Sequence, residues 1–246
     1  MAAAPVLLVT GASRGIGAAT ARLAAARGYD VGVNYVSDRK SADEVVAAVT
    51  QAGRRAVAIQ ADMGKEADID RMFEELDQKL GRVTHLVYNT GITGPMSRVD
   101  GADPKVWREV FDVNVIGAFL AVKHAVQRMS VKHGGQGGAM VLISSAMATL
   151  GGANEYIWYA ASKGAIESMT VGLARELAPD KIRVNSVAPG PVLTGIHPPG
   201  RLERIIPNVP MGRAGEPEEI AEAILFLLSE QSSWTDGVVL RVAGGR

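Results

Sequence analysis

Three side chains in this sequence form a set able to move a proton and steady a growing negative charge: Ser145, Tyr159 and Lys163. In Tyr159-Ala160-Ala161-Ser162-Lys163 the phenol and the ammonium stand at positions i and i+4, which share a face on a helix. An unperturbed phenol near pKa 10 is about three units too weak an acid for efficient exchange at neutral pH. A neighbouring cation narrows that gap by favouring the phenolate. Taken alone, a Tyr-x-x-x-Lys pair also describes many solvated helix faces, so its meaning depends on the elements that would hold it.

A second set opens the chain. Thr10-Gly11-Ala12-Ser13-Arg14-Gly15-Ile16-Gly17 follows the apolar run 5–9 and precedes an alanine-rich helical stretch, which reads as a strand, a glycine turn and a helix start. Gly11 permits the tight turn, Gly15 lets a pyrophosphate approach backbone N–H groups at the positive helix end, and Gly17 allows close packing of helix on strand. Gly11, Ser13, Arg14, Gly15, Ile16 and Gly17 are therefore candidate cofactor contacts. The spacing differs from Gly-x-Gly-x-x-Gly, and by itself such a turn fits a cofactor loop or a plain tight turn.

Apolar runs at 6–9, 31–33, 56–59, 86–87, 140–143, 184–187 and 238–242 alternate with helical patterns. This alternation predicts a doubly wound, Rossmann-like α/β fold: a seven-stranded parallel sheet with helices on both faces. The 246 residues, 47% hydrophobic, suffice for a sizeable core and suggest one domain over 1–246. Ser41-Ala42-Asp43-Glu44 reads as a capping box and Asp103-Pro104 as an N-cap with a first-turn proline, on a helix that carries Asn114. Glu216-Pro217 opens the last helix, with Ile220, Ile224, Leu227 and Leu228 facing the core. The glycine-rich stretch 133–138 precedes a strand rather than a helix and reads as a flexible connector.

With both motifs in place, the chain resembles the short-chain dehydrogenase/reductase family over nearly its whole length. Four further segments fall in the family's order: Asp62 after the run 56–60, Asn89-Thr90-Gly91 after 85–88, Asn114 in Phe111-Asp112-Val113-Asn114, and Pro189-Gly190 after 183–188. The resemblance implies that Tyr159 is the general acid/base and that Ser145, rather than Ser144, holds the carbonyl oxygen. It also implies that Lys163 favours ionised Tyr159 and binds the nicotinamide ribose, while Asn114 positions a water linking Lys163 to solvent. The Asp62 carboxylate and Met63 N–H would meet the adenine, and Asn89 with Gly91 would support the adenosine ribose. Pro189, Gly190, Val192 and Thr194 would meet the nicotinamide carboxamide. Two departures stand out. Tyr88-Asn89-Thr90-Gly91 replaces the usual Asn-Asn-Ala-Gly, and the interval from Ser145 to Tyr159 is one residue longer than the commonest, with the loop 150–153 taking up the difference.

Cofactor choice turns on the end of the second strand, where an acid would bind both ribose hydroxyls and repel a 2′-phosphate. Val31-Gly32-Val33-Asn34-Tyr35-Val36-Ser37 has none. Arg14, with Arg39 or Lys40, offers positive charge, and Asn34 and Ser37 offer hydrogen bonds, so NADP(H) is favoured over NAD(H). Asp38 is the counterargument, since it could reach a ribose hydroxyl. The expected chemistry is hydride transfer between NADP(H) and a small carbonyl or alcohol substrate. The alternatives are an NAD-dependent sugar or polyol dehydrogenase, and a non-catalytic NADP(H)-binding sensor or scaffold.

Composition narrows the partners. Lys+Arg and Asp+Glu balance at 26 each, leaving no net field for nucleic acid or an anionic membrane, and no run approaches the length of a membrane span. Without cysteine there is neither disulfide nor thiolate chemistry, and His85, His124, His133 and His197 lack metal-binding spacing, so no metal is expected. No Gly-x-Ser-x-Gly elbow supports a hydrolase. A cytoplasmic homotetramer is expected, the assembly resting on family resemblance and on an apolar stripe of Phe119, Val122, Val126 and Met129. The segment 195–210, which in the family folds over the substrate, contributes His197, Arg201, Glu203 and Arg204 as candidate contacts. Glu155 and Trp158 could line the carbonyl pocket or pack elsewhere.

Overall fold

All four residues of β1 (Val6–Val9) are buried, as a strand covered on both faces requires, and β2 (Asp30–Tyr35) is buried along its length. β3 (Ala56–Gln60), β4 (His85–Tyr88), β5 (Gly138–Ile143), β6 (Ile182–Pro189) and β7 (Val239–Val242) complete the set. In the computed structural model, which describes residues 4–246, these strands form one parallel sheet in the order β3-β2-β1-β4-β5-β6-β7. Each predicted apolar run became one strand. The order reverses between β1 and β4, which opens a crevice at the carboxyl ends of the strands.

Parallel neighbours need crossovers, and the helices supply them. They are α1 (Gly15–Ala26), α2 (Arg39–Gln51), α3 (Glu66–Lys79), α4 (Pro104–Phe111), α5 (Gly117–Met129), α6 (Met147–Leu150), α7 (Ile157–Leu177), α8 (Arg201–Ile205) and α9 (Pro217–Leu228). One core layer joins the sheet to α1, α2 and α9 through Ala21, Val45, Ile224 and Leu228. The other joins it to α3, α5 and α7 through Phe73, Val122 and Ile166.

Local chemistry sets the helix starts. Asp103 caps α4 by accepting the Lys105 N–H at 2.8 Å, and the Glu219 carboxylate accepts the Glu216 N–H at 2.8 Å ahead of Pro217, both as predicted. The start of α2 differs. Asp38, not Ser41, is its cap, accepting the Ser41 N–H at 3.0 Å, so the helix begins earlier than a capping box at Ser41 would place it. The expected flexible connector at 133–138 is instead a packed turn. The Gly135 and Gly137 N–H groups donate to the Ser130 and Met129 carbonyls at 2.9 and 2.8 Å. A Cβ on Gly135 would fall 2.2 Å from the Met129 oxygen, so no other residue fits. Along α5 the apolar stripe divides: Val122 and Met129 enter the core and Val126 packs against it, whereas Phe119 is 51% exposed.

Candidate active site

Ser145 lies just past the end of β5, and Tyr159 and Lys163 sit in the opening turns of α7, which packs over that strand end. All three line a cavity of about 340 Å³ at the carboxyl edge of the sheet. Lys163 is almost fully buried, its Nζ lies 5.7 Å from the centre of the Tyr159 ring, and it donates to the Ile143 carbonyl at 2.7 Å. Gly91 leaves the room for it, since a Cβ there would lie 3.2 Å from Nζ. Burial lowers the Lys163 pKa to about 8. Burial pushes the Tyr159 phenol up, against a hydrogen bond from Ser145 and the charge of Arg201, which pull it down. Lys163 gives one of its three N–H donors to that carbonyl and keeps two for a ligand.

The choice between the paired serines is clear from their partners. Both line the cavity, but Ser144 Oγ–H has Glu167 at 2.9 Å and the Lys163 carbonyl at 3.2 Å as acceptors, whereas Ser145 Oγ accepts the Met147 N–H at 3.2 Å. Asn114 falls on a π-turn, Asp112–Ile116, that joins α4 to α5 and turns its side chain inward. That side chain clasps the Ile92 backbone, accepting its N–H at 2.9 Å and donating to its carbonyl at 3.0 Å, and also donates to Ser162 Oγ at 3.0 Å. Ser162 in turn donates to the Tyr159 carbonyl at 2.7 Å. A chain of hydrogen bonds therefore fixes the start of α7 to the segment after β4.

At the other end of the cavity, the loop after β1 behaves as its glycines predict. Gly11 and Gly15 take φ values of +61° and +54°, and a Cβ on Gly17 would meet the Gly11 oxygen at 2.5 Å. Gly17 thus packs against the loop itself. The first turn of α1 has no side-chain cap, so its N–H groups are open to an anion. Thr90 Oγ1, on the cavity wall, is buried without a hydrogen-bond partner. An open helix start and an orphaned hydroxyl in one cleft suit a dinucleotide. Asn89 holds the loop by donating to the Thr10 and Gly11 carbonyls, each at 3.0 Å, and Thr10 Oγ1 accepts the N–H groups of Asn89 and Thr90.

The family model described as enoyl-(acyl carrier protein) reductase matches residues 11–246. The chain belongs to the short-chain dehydrogenase/reductase family. It is an oxidoreductase of that type. It is 44% identical to the uncharacterized oxidoreductase YgfF of Escherichia coli K12, over 98% of this chain and 99% of that one. It is 37% identical to cis-4-hydroxycyclohexanecarboxylate dehydrogenase of Sinomonas cyclohexanicum, over 98% and 95%. A short-chain dehydrogenase from Burkholderia cenocepacia J2315, solved in complex with NADP, superposes with a TM-score of 0.91 at 32% identity, covering 98% of this chain and 97% of that one.

Within this family member, the cavity gathers Gly11, Ser13, Arg14, Gly15, Ile16, Ser37, Asn89, Gly91, Pro189, Gly190, Val192 and Thr194 beside Ser145, Tyr159 and Lys163. Asn34 is a correction. It is fully buried, its Oδ1 accepts the Gly11 N–H at 3.0 Å, and its Nδ2 donates to the Ala61 and Ile59 carbonyls at 3.0 and 3.4 Å, so it braces the glycine loop and has nothing left for a phosphate. Asp62 and Met63 do not line the cavity; Asp62 accepts the Gly64 N–H at 3.0 Å and pairs with Lys65. Neither Arg39, which pairs with Asp43, nor Lys40 lines the cavity, which leaves Arg14 as the cation beside Ser37 and Asp38 on its wall.

The substrate end holds side chains that sequence patterns did not single out: Met147, Leu150, Tyr156 and Ile205. The loop ahead of Tyr159 folds as α6 and a turn in which Gly151, Gly152 and Asn154 all take positive φ. Trp158 is core, donating to the Thr93 carbonyl at 2.7 Å, and Glu155 pairs with Arg201 and Arg204. Of the segment 195–210, His197 and Arg201 reach the cavity; Glu203 and Arg204 do not. Among the described residues, no group of three or more His, Asp or Glu side chains could hold a metal, and no helix is long and apolar enough to cross a membrane.

Proposed function

We propose that this oxidoreductase uses NADP(H) to interconvert a ketone or aldehyde and its alcohol, with Tyr159 as general acid and base. The observation that carries the reading is the meeting of Ser145, Tyr159 and Lys163 with the glycine loop in one cleft. NADPH, when bound, supplies the hydride for the carbonyl carbon. Ser145, whose hydroxyl is the less engaged of the serine pair, holds the carbonyl oxygen. Tyr159 donates its proton as negative charge grows on that oxygen; burial keeps the phenol protonated beforehand. Lys163 binds the nicotinamide ribose, and Asn114 sets the water path that reprotonates the relay. In the oxidation direction the phenolate takes the alcohol proton. A serine and a phenol aimed at one oxygen suit a carbonyl better than a carbon–carbon double bond, and the Sinomonas relative's name likewise describes a hydroxyl substrate.

For the cofactor, Arg14 and Ser37 on the wall beyond β2 support a 2′-phosphate site, and the NADP complex of the Burkholderia relative agrees with it. Asp38, the acid at this end, has one oxygen committed to the Ser41 N–H. Exposed Phe111, Ile116, Phe119 and Val171 support assembly into the homotetramer, for which light scattering showing only monomer would be decisive against. The test titrates NADPH and NADH by calorimetry and then follows reduced-cofactor absorbance over a panel of ketones and aldehydes. NADPH is expected to bind more tightly, and Arg14→Ala to weaken it by roughly tenfold more than NADH. Equal losses, or NADH preference, would overturn the NADP assignment. Tight binding with no turnover would favour a sensor.

A further inference from the structure

The substrate end of the cavity carries a positive charge that hydride and proton transfer do not use. Arg201, at the start of α8, lines the cavity and is only 8% exposed. Its Nε and Nη2 donate to Glu155 Oε2 at 3.1 and 2.8 Å, and its Nη1 donates to His197 Nδ1 at 2.8 Å. A guanidinium has five N–H donors, so these bonds leave some unassigned. Stacking 5.4 Å over the Tyr156 ring fixes its plane.

The local charges do not cancel. Glu155 is shared between Arg201 and Arg204, the latter bonded at 2.5 Å, so two guanidinium groups face one carboxylate. Arg204 is more than half exposed and solvated, whereas Arg201 is not. His197 adds no charge, because burial and the neighbouring Arg201 lower its pKa. Among the described side chains that line the cavity, the acidic one is Asp38, at the far end beyond β2. The cavity that Arg201 lines also has Ile92, Met147, Leu150, Tyr156, Ile196 and Ile205 on its walls, and such apolar surface strengthens an ion pair formed there.

We propose that Arg201 anchors a carboxylate on the substrate, so that the protein acts on a carboxylate-bearing ketone or alcohol whose two groups are separated by an apolar ring or short chain. This rests on the carbonyl–alcohol reading above. A buried guanidinium with open donors takes a carboxylate through parallel charge-assisted hydrogen bonds. A neutral substrate would seal the cavity over those donors and leave them unpaired. Arg201, Ser145 and Tyr159 line the same cavity of about 340 Å³, so one small molecule can meet the anchor and the proton donor together.

Binding can be read without turnover by saturating the protein with its tighter-binding oxidised nicotinamide cofactor and titrating in a ketone. By calorimetry, 4-acetylbenzoate is expected to bind roughly tenfold or more tightly than its methyl ester, as one charge-assisted fork would give. Arg201→Met should bring that ratio to within about threefold, and Arg201→Lys, which keeps the charge and loses the fork, should hold an intermediate one. Equal affinity for acid and ester in the native protein, or an acid preference unchanged in Arg201→Met, overturns the anchor. Turnover of the same ketones with reduced cofactor separates the two readings. Reduction without acid preference removes the anchor and leaves the reductase; acid-selective binding without reduction of any ketone removes the reductase and leaves the anion site.

Discussion

The two ends of the cavity are held by different means. At the cofactor end, Thr10, Asn34 and Asn89 tie the ends of β1, β2 and β4 together through hydrogen bonds to backbone groups; Thr10 and Asn34 are fully buried and Asn89 partly so. At the substrate end, the segment ahead of α7 is joined to α8 by a few long side chains, Glu155 to Arg201 and Arg204, with His197 alongside. Backbone-directed bonds at strand ends fix one shape, which suits a cofactor of constant structure. A rim closed by side-chain ion pairs can change its lining residues without disturbing the sheet, which suits a variable substrate.

Tyr159 belongs to both ends and gives the largest effect. Tyr159→Phe removes one oxygen from a partly buried ring, so NADPH affinity by calorimetry should change by no more than about threefold while turnover falls by roughly 10²–10⁴-fold. Near-native turnover would move the proton donor elsewhere in the cleft. The next effect belongs to the rigid end. Asn34→Leu strips partners from the Gly11 N–H and the Ala61 and Ile59 carbonyls at once, for a cost on the order of 3 kcal/mol, read as a lower denaturant midpoint. NADPH and NADH affinity should fall together because the whole loop shifts. A normal midpoint with loss confined to NADPH would return Asn34 to the 2′-phosphate and weaken the contrast between the two ends.

Legibility in the sequence follows the same division. The strands could be read because a sheet buried on both faces forces continuous apolar runs, and the glycine loop because its positive φ values and the close approach at Gly17 admit little else. Tyr159 and Lys163 were legible as a helical pair. Asn34 was misread for a physical reason: an amide at a strand end looks the same whether it faces a ligand or a neighbouring turn, and only the third dimension shows which. Ser162 lay unremarked inside the Tyr159–Lys163 motif, although it links Asn114 to the Tyr159 backbone. The cap of α2 was missed because Asp38 and Ser41 are equally good caps, and the side chain that wins is the one whose strand delivers it to the helix axis. The Glu155–Arg201 pair had no sequence signature at all, since its partners are separated by 46 residues and recognise each other only after the rim has closed.

The rim supplies the smallest and most discriminating effect. Burial raises the Glu155 pKa, but hydrogen bonds from Arg201 and Arg204 outweigh it and hold the carboxyl below its ordinary value of 4.5. A depressed carboxylate contributes stability above the unfolded pKa and loses it as pH falls through the folded one. Glu155→Gln should therefore cost about 1–2 kcal/mol at neutral pH, most of it from the nearly buried Arg201 and little from exposed Arg204, and the gap to the native protein should close in acid below about pH 4.5. If the rim is mechanically separate from the sheet, the variant raises KM for the ketone while leaving NADPH affinity within about twofold. A parallel loss of NADPH affinity would mean that Glu155, through Arg201 and the segment after β6, also holds the nicotinamide end of the cleft, and that the two ends are one unit.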